Sequence, residues 1–148
     1  AARRPAPRAP PGRATPHPAR PAAPPALRRD GATDPALARG VELVGGEPRA
    51  GHVYTEPGPP AAVAARWRDV LGDDARARAR DEVLARGFLG PDPRPEAVAS
   101  AGDVMVALRG RATVVDSRTQ TPASLTLVGV HGSLTEREMR VPLLVAAT

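Results

Sequence analysis

Three histidines are the side chains best suited to metal or acid–base chemistry in this 148-residue chain: His17, His52 and His131. There is no cysteine, so thiolate metal sites, thiol nucleophiles and disulfide frameworks are all excluded. No serine stands in a G-x-S-x-G elbow. Gly45-Gly46 is not a phosphate loop, because no Lys-Ser/Thr pair or helical pattern follows it. His17 stands between two prolines in a low-complexity tail and is read as part of that tail. His52 falls in a strand-like run, where a histidine is more often packed or surface-exposed than a ligand or substrate contact. Asp103 and Asp116 are placed at strand ends and could approach a metal, although acids there are usually solvated turn or cap residues. His131 remains as the strongest candidate ligand.

The elements around His131 give it that standing. The apolar run over residues 125–130 predicts a buried strand. Gly132 behind the histidine lets the backbone turn. Ser133 with Glu136, and again Thr135 with Glu138, have capping-box spacing and predict a helix of about two turns, which Pro142 bars from continuing. Residues 141–147 predict a second buried strand. A histidine just past a strand end is where α/β sheets commonly hold ligands and metals.

Gly129-Val130-His131-Gly132, a short polar turn, Met139 and the apolar Leu143-Leu144-Val145-Ala146 resemble the C-terminal end of type I phosphodiesterases and nucleotide pyrophosphatases, in the actinobacterial form, within the alkaline phosphatase superfamily. Gly46-Glu47-Pro48-Arg49 with His52-Val53-Tyr54, Trp67-Arg68-Asp69-Val70-Leu71-Gly72, and Gly87-Phe88-Leu89-Gly90-Pro91 match in the same order. The resemblance spans residues 33–147. It implies that His131 is one ligand of a catalytic pair of divalent metals, zinc being expected. It further implies that the intact enzyme hydrolyses a phosphate ester or nucleotide by Thr/Ser attack. It assigns no substrate-binding residue.

The remaining parts of such a site are missing from the sequence. A catalytic metal needs about three protein ligands, and a two-metal phosphoryl site needs more. Those enzymes place acids, a Thr or Ser nucleophile and an Asp-His-Gly motif ahead of the region matching Val41. No Asp-His pair occurs anywhere in this chain. The chain is therefore expected to be a fragment or a processed product, to hold no metal stably and to be inactive alone. The rival expectation is a small non-enzymatic binding protein with a basic arm for nucleic acid or anionic surfaces.

Charge separates the two ends. All 21 basic residues are arginine, and Lys, Asn and Ile are absent, as expected from a GC-rich coding sequence. Residues 1–30 hold seven Arg and one acid; the rest holds 14 Arg and 15 acids. The first thirty residues contain nine Pro and nine Ala, with Leu27 the one sizeable apolar side chain. That composition predicts a disordered arm over residues 1–32 with polyproline character. The arm is open to three readings: an anionic tether through arginine–phosphate contacts, a solvated tail, or out-of-frame translation. No aromatic interleaves its arginines, so it is no single-strand stacking platform. Residues 31–148 balance at one excess acid, where a nucleic-acid module would usually be basic.

Residues 33–148 predict one α/β segment with short helices flanking a sheet, and the resemblance implies that this sheet is part of an alkaline phosphatase-like one. Asp34-Pro35 opens a helical turn ending near Gly40. Strands are expected over residues 41–44 and 49–55, and a helix over 61–71 with Val63, Trp67, Val70 and Leu71 on one face, closed by Gly72. Over residues 75–80 helix propensity predicts a helix, whereas the Ala/Arg alternation and the family pattern predict a short strand, and Asp81 is expected to cap a helix to Arg86. Phe88 and Leu89 are expected in the core. Residues 91–101 read as a loop or short helix, and 103–108 and 112–116 as a β-hairpin about Gly110. No run approaches the roughly 18 apolar residues of a membrane span, and no signal peptide is visible, so a cytoplasmic location is expected.

Overall fold

A computed structural model describes residues 27–142. Its fold is α/β. Four antiparallel strands form the main sheet in the order β2-β3-β5-β4: β2 (Val41–Glu47), β3 (Ala50–Thr55), β4 (Ala75–Ala79) and β5 (Val104–Leu108). A second, two-stranded sheet pairs β1 (Leu27–Asp30) with β6 (Ala112–Val115) in parallel. Helices α1 (Pro35–Ala38), α2 (Pro60–Leu71), α3 (Arg80–Ala85), α4 (Pro95–Ser100), α5 (Pro122–Leu125) and α6 (Glu136–Met139) lie between and after the strands.

Period-two patterning gives the main sheet two unlike faces. Val44, Val53, Ala77, Val104 and Val106 are buried on the inner face, with Leu108 at the sheet's end. Helix α2 lies on that face, and Val63, Ala64, Trp67 and Leu71 recur at helical spacing as its buried stripe. Trp67 is fully buried and donates from Nε1 to the Leu37 carbonyl at 3.2 Å, which ties α2 to α1. Gly72 ends the helix with φ +54°, and Asp34 caps α1 by accepting from the Ala36 N–H at 3.0 Å. These features match the sequence reading; of the two readings of residues 75–80, the structure has the strand, as β4.

Gly102 is fixed by crowding. A Cβ there would lie 2.8 Å from the Val53 nitrogen and 2.9 Å from the Val53 oxygen, and backbone cannot yield as a side-chain tip can. Gly102→Ala is expected to destabilise the fold by about 2 kcal/mol through overpacking. Urea unfolding monitored by Trp67 fluorescence checks this; an unchanged midpoint would contradict it.

Several expectations are overturned. Strands β5 and β6 form no hairpin: β3 and β4 already occupy both edges of β5, so β6 runs on past Gly110 and pairs with β1. The arm cannot extend to residue 32, because Leu27 packs against the core and the Gly31 N–H donates to the Val115 carbonyl at 2.7 Å. Residues 1–26, which carry the rest of the disorder expectation and His17, lie outside the described residues. Residues 125–130 form no strand. Pro122 and the Thr121 hydroxyl, which accepts from the Ser124 N–H at 3.2 Å, start helix α5 instead, and the chain continues irregularly. Phe88 is half exposed, because Gly87 at φ +71° turns the chain out after α3. Helix α3 takes Ala79 as its N-cap, with Asp81 inside its first turn. Val141 is exposed and outside any strand; residues 143–147 of that expected strand lie outside the described residues.

Candidate functional site

The segment bearing His131 is held down by a buried arginine. Arg49 sits in the two-residue link Pro48-Arg49 of the β2–β3 hairpin. Its Nε and Nη2 donate to the two Glu138 carboxylate oxygens at 2.7 and 2.9 Å. Its Nη1 donates to the Ala112 carbonyl at 2.8 Å. One guanidinium therefore joins the hairpin, the start of β6 and helix α6, in the planar fork geometry that arginine presents to a carboxylate.

Glu138 is engaged from its own side as well. It accepts from the Ser133 N–H at 3.2 Å and from the Thr135 hydroxyl. Thr135 is the N-cap residue of α6, so the Thr135–Glu138 spacing marks a real helix start, although the two side chains bond each other rather than closing a full capping box. The Ser133–Glu136 pairing does not form; the Ser133 hydroxyl donates to the Leu108 carbonyl instead. The Arg49 fork holds the Glu138 carboxyl down at about 2; burial opposes this, and the Thr135 and Ser133 bonds assist it.

Gly132 presses on the hairpin. Its φ is +112°, and a Cβ there would stand 3.3 Å from Glu47 Cβ. A side chain at this position would be both strained and crowded. The His131-Gly132 turn is thus seated on the sheet while His131 itself is exposed. The strand expected ahead of it is absent, so its placement comes from the anchors behind it.

The other candidates have structural partners. His52 is half-buried on the outer face of β3; its Nδ1 accepts from the Gly102 N–H at 3.1 Å, and burial lowers its pKa. Asp103 accepts from the Thr55 N–H at 2.9 Å and faces Arg80 at 3.4 Å. Asp116 is 1% exposed and accepts from the Val44 N–H at 2.8 Å. Burial alone would raise the Asp116 pKa, but the Arg118 fork and the two backbone donors outweigh it and hold it low. Trp67 is a core anchor. Among the described residues no three His, Asp or Glu side chains are grouped so as to hold a metal, and the donor set offered with His131 does not by itself fit a catalytic metal centre. No helix among the described residues is long and apolar enough to cross a membrane.

Sequence reasoning missed the Arg49–Glu138 pair, whose partners are separated by 89 positions. The Thr135–Glu138 spacing was the one local signal that Glu138 had work near a turn. A scan against protein-family models and a search of curated proteins each find no match.

Proposed function

We propose that this chain is the C-terminal part of a metal-dependent phosphoester hydrolase of the alkaline phosphatase superfamily, catalytically incomplete by itself. His131 is its one metal ligand, and the phosphate-ester or nucleotide substrate meets a site finished by residues this chain lacks. The observation that carries the reading is the apolar run over residues 125–130. It leads directly into His131, yet Leu127 and Val128 are 60% and 62% exposed. A buried-strand pattern lying uncovered is what a segment presents when its sheet partners belong to another part of the polypeptide. The seated His131-Gly132 turn supports the reading too, since a ligand must project from a fixed base.

Zinc titration of the 148-residue chain, followed through the imidazole signals of its histidines, tests it. The expected result is weak binding at His131 that a chelator reverses at once. Tight zinc binding by this chain alone would contradict it, because one histidine cannot supply such a site.

The rival reading, a non-enzymatic protein tethered to anions by its arm, draws on the seven arginines of residues 1–30. Under it, binding to duplex DNA should be sequence-independent and fall steeply between low and moderate salt, as counterion release requires. Fluorescence anisotropy with two unrelated duplexes measures this. Sequence-selective or salt-independent binding would remove the tether.

A further inference from the structure

The outer face of the main sheet carries a groove of about 200 Å³. Strand register builds it. Ala50, Ala107 and Arg76 share one row across β3, β5 and β4, and His52, Met105 and Arg78 share the next. The middle of both rows is apolar and low, and the β4 edge is cationic. Phe88 and Leu134 rise beside this floor, and both are about half exposed. A cavity of about 150 Å³ accommodates benzene, so the volume suits a single ring.

The two arginines differ. Arg78 is paired with Glu82 one helical turn into α3. Arg76 makes no ion pair or hydrogen bond with any described residue and stands at the groove beside apolar surface. On the far side, two strand spacings across and one row along from Arg76, the His52 Nδ1 already accepts from Gly102, which leaves the proton of the neutral ring on Nε2 as a donor. An aromatic wall, an apolar floor, one guanidinium without a described partner and a neutral imidazole donor diagonally across the groove from it define one chemical class of ligand.

We propose that this groove binds a flat aromatic monoanion, with the ring over Met105 and Ala107 beside Phe88 and the anionic group on Arg76. The groove adjoins the His131 turn, since Gly132 and Leu134 line it, but the proposal does not depend on the metal role proposed for His131.

The chain contains two methionines, and they make the test internal. Met105 lies in the groove, whereas Met139 is exposed on α6. With ¹³C-methyl methionine in the full chain, titration with benzoate should shift Met105 to saturation and leave Met139 in place. Benzyl alcohol, which has the ring without the charge, and acetate, which has the charge without the ring, should each bind far more weakly. Arg76→Gln, on an exposed edge position, should weaken benzoate binding about tenfold, the effect of one charge-assisted hydrogen bond. Phe88→Ala should weaken benzoate and leave acetate unchanged. Equal shifts at both methionines, benzyl alcohol binding as well as benzoate, or an Arg76→Gln variant that binds normally would each overturn the proposal. So would a Met105 shift that depends on protein concentration without probe, which would make the occupant a second copy of the chain.

Discussion

If the chain is the C-terminal part proposed above, His131→Ala in the chain joined to the N-terminal half that proposal requires should reduce metal-dependent phosphodiester hydrolysis by more than about 100-fold. Loss of a residue that merely supports a ligand costs about 10- to 100-fold in metal affinity or activity, and loss of the ligand itself should exceed that. The deficit should appear as weakened metal binding and ease as metal concentration rises. His17→Ala should change nothing, since His17 falls in the proline-rich tail. His52→Ala should leave hydrolysis intact, because its ring bonds Gly102 on the outer sheet face. The proposal predicts an Asp-His-Gly motif and a Thr/Ser nucleophile segment in the DNA upstream of Ala1, read in three frames. A completed enzyme indifferent to His131→Ala would remove His131 from the metal site.

The second large effect falls on stability. Glu138→Gln should cost about 3 kcal/mol, because it leaves the Arg49 guanidinium buried without its counter-charge. Arg49 is 6% exposed, so water cannot take over that role. Arg49→Met should cost a similar amount, stranding Glu138 and the Ala112 carbonyl. The double variant should be less destabilised than the two single costs added together, since neither charge is then orphaned. The pH dependence follows from the same pair. The Glu138 carboxyl ionises at about 2 in the fold against an ordinary value of 4.5. Its folded pKa lies below the unfolded one, so the contribution is fully present above the ordinary value and is lost as pH falls from there toward 2. The whole difference is worth roughly 3 kcal/mol. Urea midpoints of wild type and Glu138→Gln should therefore converge across that acid range. Midpoints separated by the same amount at every pH would show that the pair contributes nothing through its charge.

Where the chain's own residues decide a local conformation, the sequence was readable. Pro35 after Asp34, the Val63–Trp67–Leu71 stripe and Gly72 each act within a few residues, and those elements form as expected; in β4 the Ala/Arg alternation prevails over helix propensity. What went unread depends on distant partners. Whether the 112–116 run folds back on β5 is decided by β3 and β4 taking both β5 edges. Whether Leu27 belongs to a tail or a sheet is decided by β6, more than eighty positions away. The 125–130 run has a buried strand's composition but no described strand beside it, so apolar periodicity alone misjudged it. At the candidate site, His131 and Gly132 were legible from residue type and order. Their anchor was not, because Arg49 reads as one of many arginines until the fold sets Glu138 against it. The acids Asp103 and Asp116 drew notice as possible ligands, yet each is satisfied by an arginine and a backbone N–H.

The most direct test of the proposed incompleteness is hydrolysis of bis(p-nitrophenyl) phosphate and p-nitrophenyl phosphate with added zinc or manganese, by the 148-residue chain alone and by the chain joined to the N-terminal half the proposal requires. The expected result is no turnover above the metal blank for the chain alone and metal-dependent turnover once the half is restored. Efficient hydrolysis by the chain alone, or none by the completed enzyme, would contradict the assignment.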